Sequence, residues 1–197
     1  MLNKFRGIEE KLLSPLIGLL VKYELNPNYL SLLSLIFSIT AFFSLIYNKL
    51  LLSIILVLLN ALMDLMDGKV ARKLDRDDKE GDFLDHLIDR YADVFIVSGL
   101  IFSRYGVFWI GVFAILGTLL TSYVGTQAQA VGIGRVYSGL LGRADRLVLI
   151  ISGIGLNALF KGKILGFHFI TWVLILLSIL GICTFLQRTN WVLRQLN

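Results

Sequence analysis

The sequence has one cysteine and two histidines among its 197 residues, which limits the chemistry it can support. Cys183 has no second cysteine to pair with, so a disulfide framework within the chain is excluded. His86 and His168 lack Cys or His partners at zinc-ligand spacing, and we interpret both as ordinary residues near the membrane interface. No activated Ser or Cys nucleophile is evident in the sequence.

Charged residues are also scarce, at 17%, whereas hydrophobic residues reach 56% and the mean hydropathy is +0.77. Soluble domains contain roughly 45 to 50% apolar residues, so this composition indicates a membrane protein. A membrane crossing needs about 20 apolar residues. Six stretches fit, at about 29–47, 51–68, 84–103, 107–130, 146–160 and 166–186. We therefore predict an all-α integral membrane protein, with residues 1–197 forming a single domain of six transmembrane helices.

The first 24 residues mix charged side chains with Leu and Ile. This mixture predicts an amphipathic helix that lies along the membrane interface ahead of the first crossing. The segment lacks the pattern of a cleavable secretory signal.

The distribution of basic residues predicts the orientation. Four of the 19 Lys and Arg residues follow an odd-numbered crossing and so lie on the side opposite the termini, namely Lys49, Arg104, Lys161 and Lys163. The other 15 lie on the side of the termini. The positive-inside rule then places the termini in the cytoplasm, and the protein in the cell membrane. The net charge of +5 would attract anionic headgroups and phosphorylated substrates. Nucleic acid is a poor alternative partner, because the basic residues are scattered over short loops.

Four aspartates lie where the second and third predicted crossings meet the cytoplasmic side. Asp64 and Asp67 are three residues apart, and Asp85 and Asp89 are four apart, so each pair occupies one face of a helix. Carboxylates in a membrane segment are costly and usually functional. Two facing pairs would repel each other without counterions, and oxygen ligands of this kind suit Mg²⁺ or Mn²⁺. We predict a site for two divalent cations, the alternative being helix caps or partners for nearby arginines.

Small and basic residues adjoin these aspartates. Gly68 follows Asp67 directly and Gly81 precedes Asp85 by four residues, which leaves room for a ligand close to the backbone. Arg72 can direct its planar guanidinium at phosphate oxygens beside the metals. Alternatively, the glycines interrupt a loop and Arg72 extends to the interface.

Residues 64–89 resemble the signature of the CDP-alcohol phosphotransferase family, Asp-x2-Asp-Gly-x2-Ala-Arg-x8-Gly-x3-Asp-x3-Asp, and match it at every fixed position. The resemblance implies a six-span membrane enzyme, usually a homodimer. Such enzymes transfer a phosphate-linked alcohol from a CDP carrier to a hydroxyl acceptor and release CMP.

The resemblance also implies roles for particular residues. Asp64, Asp67, Asp85 and Asp89 would bind two Mg²⁺ or Mn²⁺ ions, and Asp89 would also be the general base. The turn before the first crossing resembles the segment where the nucleotide binds in the family. The residues implied in CDP-lipid binding are then Pro27, Asn28, Tyr29, Gly68, Arg72 and Gly81.

Ser122, Tyr123 and residues 143–147 are similar to phosphatidylinositol phosphate synthases and their archaeal counterparts, which use inositol 1-phosphate. A Lys and an Arg that help to hold the acceptor phosphate in that subgroup correspond to Gly125 and Gln127 here. The resemblance therefore leads us to expect that Gly125→Lys with Gln127→Arg would lower the KM for the acceptor.

Three arginines could take over the acceptor phosphate. Arg143 and Arg146 begin the fifth crossing, where the helix dipole also favours an anion, and Arg135 precedes them. They could instead be ordinary charges flanking a membrane segment. We expect a phosphorylated polyol as acceptor, with inositol 1-phosphate ahead of glycerol phosphate.

Two other classes of protein remain as alternatives. A divalent-cation transporter would explain the carboxylates but would leave Gly68, Arg72 and Gly81 without roles. A membrane scaffold without activity would not need four intact aspartates. The lipid of the donor can be acyl or isoprenoid, as CDP-diacylglycerol or CDP-archaeol.

Overall fold

The computed structural model describes residues 6–76, 79–160 and 162–196, and these ranges are helical almost throughout. The helices within them are α1 (Arg6–Lys22), α2 (Pro27–Ile46), α3 (Leu50–Lys73), α4 (Lys79–Phe102), α5 (Phe108–Ala130), α6 (Arg143–Leu159) and α7 (Phe169–Leu196). Pairing between strand-like residues in the described ranges is limited to an isolated bridge from Ile164 to Phe167. The prediction of an all-α chain is confirmed.

Each of the six predicted crossings coincides with one helix from α2 to α7. Among the described helices, α2, α3, α5 and α7 are long and apolar enough to cross a membrane. Helix α6 has only 17 residues, and α4 carries several charges in its first half. The membrane character of the fold is therefore supported, whereas the count of six crossings remains a prediction. Helix α3 continues past residue 68, so Gly68 lies within a helix rather than in a loop.

The predicted interfacial helix corresponds to α1, although residues 1–5 lie outside the described part of the chain. Ile17 of α1 is buried in a small apolar cluster with Met66 and Val70 of α3. Helix α1 thus packs beside the half of α3 that carries Asp64 and Asp67. Its position at a membrane interface stays a prediction.

The main core holds the helices in two closely packed groups, α2 with α3 and α4, and α5 with α7. Helices α5 and α7 meet at Gly117 and Gly181, where a Cβ on Gly117 would lie 3.2 Å from Gly181 backbone atoms. Asn60 Nδ2 of α3 donates a hydrogen bond of 2.9 Å to the Ser34 carbonyl of α2. These contacts bring the end of α3 and the starts of α4 and α6 to the same end of the bundle, where the site lies.

Candidate active site

The structure brings the predicted aspartates together. Carboxylate oxygens of Asp64 and Asp67 on α3 and of Asp85 on α4 lie within 4.8 Å of one another. Asp89 is one turn further along α4 than Asp85, and it is almost completely buried, as is Asp67. Clustered carboxylate oxygens are the ligands that Mg²⁺ and Mn²⁺ prefer, so the donor set fits a divalent cation.

A serine that sequence analysis did not single out orients one of these carboxylates. Ser31 Oγ, on α2, donates a hydrogen bond of 2.6 Å to Asp67 Oδ2. Ser31 is buried, so the hydroxyl and the carboxylate fix each other away from solvent. Helix α2 therefore contributes to the site although it carries no acidic residue.

Arg143 supplies positive charge between the two pairs of aspartates. Its Nη1 contacts Asp64 Oδ2, and its Nη2 lies 2.8 Å from Asp89 Oδ1. Sequence analysis predicted that Arg143 holds the acceptor phosphate. In the structure it begins α6 and serves as counter-charge to the carboxylates.

A cavity of about 430 Å³ opens on the α2 side of the aspartates, and we call it the α2-side cavity. It is lined by five of the six residues predicted to bind the CDP-lipid, namely Pro27, Asn28, Gly68, Arg72 and Gly81. Tyr29 does not line it and is largely exposed. Asn26 Oδ1 accepts a hydrogen bond of 3.0 Å from the Asn28 backbone N–H, which caps α2 at the cavity wall.

The guanidinium of Arg72 lies over Gly68. A Cβ placed on Gly68 would lie 3.7 Å from Arg72 Nη1, an ordinary contact distance. The two signature residues thus form one surface of the α2-side cavity. Gly68 directly follows Asp67, and Arg72 lies one turn beyond Gly68 on the same helix. This arrangement directs a phosphate-binding group towards the space next to the carboxylates.

A second cavity, of about 750 Å³, opens on the α5 side, and we call it the α5-side cavity. All three predicted acceptor residues, Arg135, Arg143 and Arg146, line it. Asp85 lines both cavities, whereas Asp89 lines only the α5-side cavity. The aspartates therefore separate two spaces that differ in lining residues.

The three arginines have different partners. Arg146 is buried and lies 2.6 Å from Asp93, so its charge is largely balanced within the protein. Arg135 contacts the ring of His86 and lies 5.2 Å from the centre of the Tyr137 ring. His86 was interpreted from the sequence as an ordinary interface residue. In the structure its Nδ1 lies 3.5 Å from Asp85 Oδ2, so His86 links Arg135 to the acidic cluster.

Arg188 is a further cavity residue that sequence analysis missed, since it only counted this arginine among the 15 basic residues on the side of the termini. It projects from α7 and donates hydrogen bonds to three backbone carbonyls, those of Ser138 at 2.7 Å, Thr121 at 2.8 Å and Tyr137 at 3.2 Å. It is only 7% exposed, and no carboxylate of the described residues lies within ion-pair distance of it. The signal available in the sequence was an arginine within a largely apolar helix.

Gly125 leaves the space that Arg188 occupies. A Cβ on Gly125 would lie 3.2 Å from Arg188 Nη1 and 3.0 Å from the Val136 carbonyl oxygen. The position at which the resemblance implies a lysine in the subgroup is therefore next to a cation supplied by α7 in this chain. Gln127, the other departure from that pattern, is exposed and does not line the α5-side cavity.

Comparison with known proteins agrees with this geometry. The CDP-alcohol phosphatidyltransferase family profile matches residues 24–193. The archaetidylinositol phosphate synthase of Methanothermobacter thermautotrophicus is 28% identical over 196 residues, covering 100% of this chain and 96% of that protein. The fold is similar to that of Mycobacterium tuberculosis phosphatidylinositol phosphate synthase with CDP-DAG bound, with a TM-score of 0.78, 22% identity and coverage of 92% and 94% of the two chains. The same synthase in complex with manganese and citrate gives a TM-score of 0.74 at 24% identity, covering 90% of this chain and 87% of that one.

Proposed function

This chain belongs to the CDP-alcohol phosphatidyltransferase family, and from that premise we propose that it makes a phosphoinositide-type lipid. It transfers the lipid phosphoryl group of CDP-diacylglycerol or CDP-archaeol to a hydroxyl of inositol 1-phosphate and releases CMP. The observation that carries this proposal is the pair of cavities that meet at Asp85, one lined by signature residues and the other by arginines. Two substrates that bind on opposite sides of one acidic cluster can react with each other directly, so that the phosphoryl group passes from donor to acceptor without a covalent enzyme intermediate.

The CDP group occupies the α2-side cavity. Arg72 contacts the diphosphate, and Gly68 and Gly81 leave space for the nucleotide beside the backbone. Pro27 and Asn28 form the wall at the start of α2.

Asp64, Asp67, Asp85 and Asp89 hold two Mg²⁺ or Mn²⁺ ions in this proposal. When bound there, the ions would neutralise negative charge on the diphosphate and on the departing CMP. The protein's own groups do the rest. Asp89 faces the α5-side cavity and accepts the proton of the attacking hydroxyl, and Ser31 keeps Asp67 in place.

The acceptor phosphate binds among the arginines of the α5-side cavity. Arg135, Arg143 and Arg146 were predicted for this role, and we add Arg188. Arg188 is supported by its burial without a carboxylate partner among the described residues, because a phosphate would balance its charge. Arg146 contributes less directly, since Asp93 already balances it.

The proposal is tested by CMP release from the purified protein, supplied with CDP-diacylglycerol or CDP-archaeol, Mg²⁺ or Mn²⁺, and one acceptor at a time. Inositol 1-phosphate is expected to have the highest kcat/KM in a set that includes glycerol phosphate, free inositol and serine. A preference for glycerol phosphate would support the alternative acceptor. A preference for serine or free inositol would refute the phosphate-binding role of the arginines while leaving the family reaction intact.

The same protein is a homodimer with six crossings and cytoplasmic termini in this proposal. Helix α6, at about 25 Å, is slightly shorter than the apolar thickness of a bilayer of about 30 Å, so its flanking residues complete the crossing. Cysteines introduced at Lys49 and at Lys79 in a Cys183→Ser background should be labelled from opposite sides of sealed vesicles. Labelling from the same side would refute the orientation.

A further inference from the structure

A third cavity, of about 760 Å³, lies at the end of the bundle opposite the aspartates. The α2–α3, α4–α5 and α6–α7 connections all contribute to it. Its polar lining residues are Asn48, Lys49, Arg104, Tyr105, Asn157 and His168. Asp64 lies 14 residues beyond Leu50 on α3, about 21 Å along the helix axis, so this cavity is separate from both cavities of the candidate active site.

This end of the protein is positively charged, and none of the described residues there is acidic. Its described connections contain Lys49, Arg104 and Lys163, and the sequence has no Asp or Glu in residues 25–63, 94–144 or 146–197. Lys49 and Arg104 are exposed and line the cavity from two different connections. An anion entering there meets two cations that have no carboxylate in their own connections.

The start of α3 adds hydrogen-bond donors to these charges. The helix begins at Leu50, and no side chain caps it. The first N–H groups of a helix have no acceptor within the helix, and the helix dipole makes this end attractive to a phosphate. The turn is held in place, because the Lys49 backbone N–H donates to the Ser44 carbonyl at 2.8 Å and Ser44 Oγ donates to the Lys49 carbonyl at 3.0 Å.

His168 also lines this cavity. Its ring packs edge-on against Tyr105 at 4.9 Å between ring centres. Its Nδ1 is buried and has no hydrogen-bond partner among the described residues. A buried atom offers no surface to a ligand, so His168 shapes the cavity wall through its ring, and its Nδ1 adds no hydrogen-bond donor to the space.

The rim of the cavity is apolar and exposed. Leu51 and Leu52 line it with 70% and 47% of their surface exposed, and Leu159, next to the lining residue Ala158, is 77% exposed. In a membrane these side chains contact lipid chains, so the cavity opens towards lipid as well as water.

We propose that this cavity binds the phosphate headgroup of an anionic membrane phospholipid, on the face of the protein opposite the transfer reaction.

The test is native mass spectrometry of the full-length protein in detergent, titrated with phosphatidylglycerol and, separately, with phosphatidylcholine. The variant Lys49→Gln/Arg104→Gln is compared with Lys163→Gln, which removes a charge from the same end but not from the cavity. One phosphatidylglycerol is expected to bind about tenfold or more weakly to the double variant than to the wild type or to the control. Lipid bound at the candidate active site is common to all three proteins and cancels in the comparison.

Equal binding by the double variant and the wild type would overturn the proposal, as would equal retention of phosphatidylcholine. Complete displacement of phosphatidylglycerol by excess inorganic phosphate would overturn the lipid as the source of the phosphate. CMP release is measured in parallel as a check on folding, since neither Lys49 nor Arg104 touches the candidate active site. If the double variant does not fold, the two single variants decide, each being expected to bind severalfold more weakly.

Discussion

Gly125→Ala is expected to weaken acceptor binding through Arg188. The new Cβ would lie 3.0 Å from the Val136 carbonyl oxygen and 3.2 Å from Arg188 Nη1, whereas ordinary contacts begin at about 3.4 Å. The Val136 oxygen belongs to the backbone, so the guanidinium of Arg188 is the group that can move. Moving it lengthens its 2.8 Å hydrogen bond to the Thr121 carbonyl and shifts the charge in the α5-side cavity.

The size of the effect follows from the cost of adding a methyl group to a filled space, about 1 to 3 kcal/mol. If this cost falls on acceptor binding, the KM for inositol 1-phosphate rises about 5-fold to 150-fold, with a smaller change in kcat. CMP release is measured at saturating CDP-lipid with varied acceptor. Gln127→Ala, on the exposed face of the same helix, is the matched control and should leave the KM unchanged.

An unchanged KM in Gly125→Ala would refute the link between Gly125 and Arg188. Gly125→Lys sharpens the contrast, because the resemblance to the inositol phosphate synthases leads one to expect a lower KM when this lysine is combined with Gln127→Arg. The structure predicts the opposite, since the longer side chain has the same crowded Cβ and adds a positive charge beside Arg188. A lower KM in Gly125→Lys would show that the cavity can rearrange around a second cation.

Excess EDTA should abolish CMP release, and added Mn²⁺ or Mg²⁺ should restore it; full turnover in EDTA would contradict a metal-dependent reaction. Asp89→Asn should reduce kcat to near zero without unfolding the protein, as followed by CMP release and thermal melting, because it removes a proposed ligand and the proposed base. Arg72→Lys should raise the KM for the CDP-lipid about tenfold, since a point charge cannot reproduce the paired contacts of a guanidinium, and an unchanged KM would make Arg72 an interfacial residue. Ser31→Ala should weaken activation by Mn²⁺ about 10-fold to 100-fold by freeing Asp67, whereas Ser38→Ala on the same helix should not.

The helices could be predicted from the sequence because hydrophobic runs of membrane length are a strong signal. The bounds were less accurate where polar residues continue a helix. Helix α3 extends to Lys73 and α7 to Leu196, beyond the apolar runs that suggested them. Backbone hydrogen bonding continues a helix beyond its last apolar side chain, so the hydropathy of the sequence does not predict where the helix ends.

The meeting of the aspartates could also be predicted, because their spacing sets the helix face and both pairs adjoin one short connection. Ser31, His86 and Arg188 could not be identified in this way. Ser31 and Arg188 lie far in the sequence from the groups they contact, and only packing of α2 and α7 against the site brings them to it. Histidine is a residue type with many ordinary uses, so His86 did not stand out. Tyr29 illustrates the converse, since it adjoins lining residues in the sequence and does not line the cavity itself.

Helices α4 and α6 are joined by two charged contacts, which differ in their burial. Arg146 and Asp93 form the inner contact at 2.6 Å, and both are buried. Such a pair is costly to separate, so it fixes α6 against α4. Arg143 lies one turn nearer the start of α6 and pairs with Asp89 at 2.8 Å at the cavity wall. In the proposed function, bound cations balance the charge of Asp64 and Asp89, and Arg143 then turns its guanidinium towards the acceptor phosphate while Arg146 and Asp93 keep the helix in position.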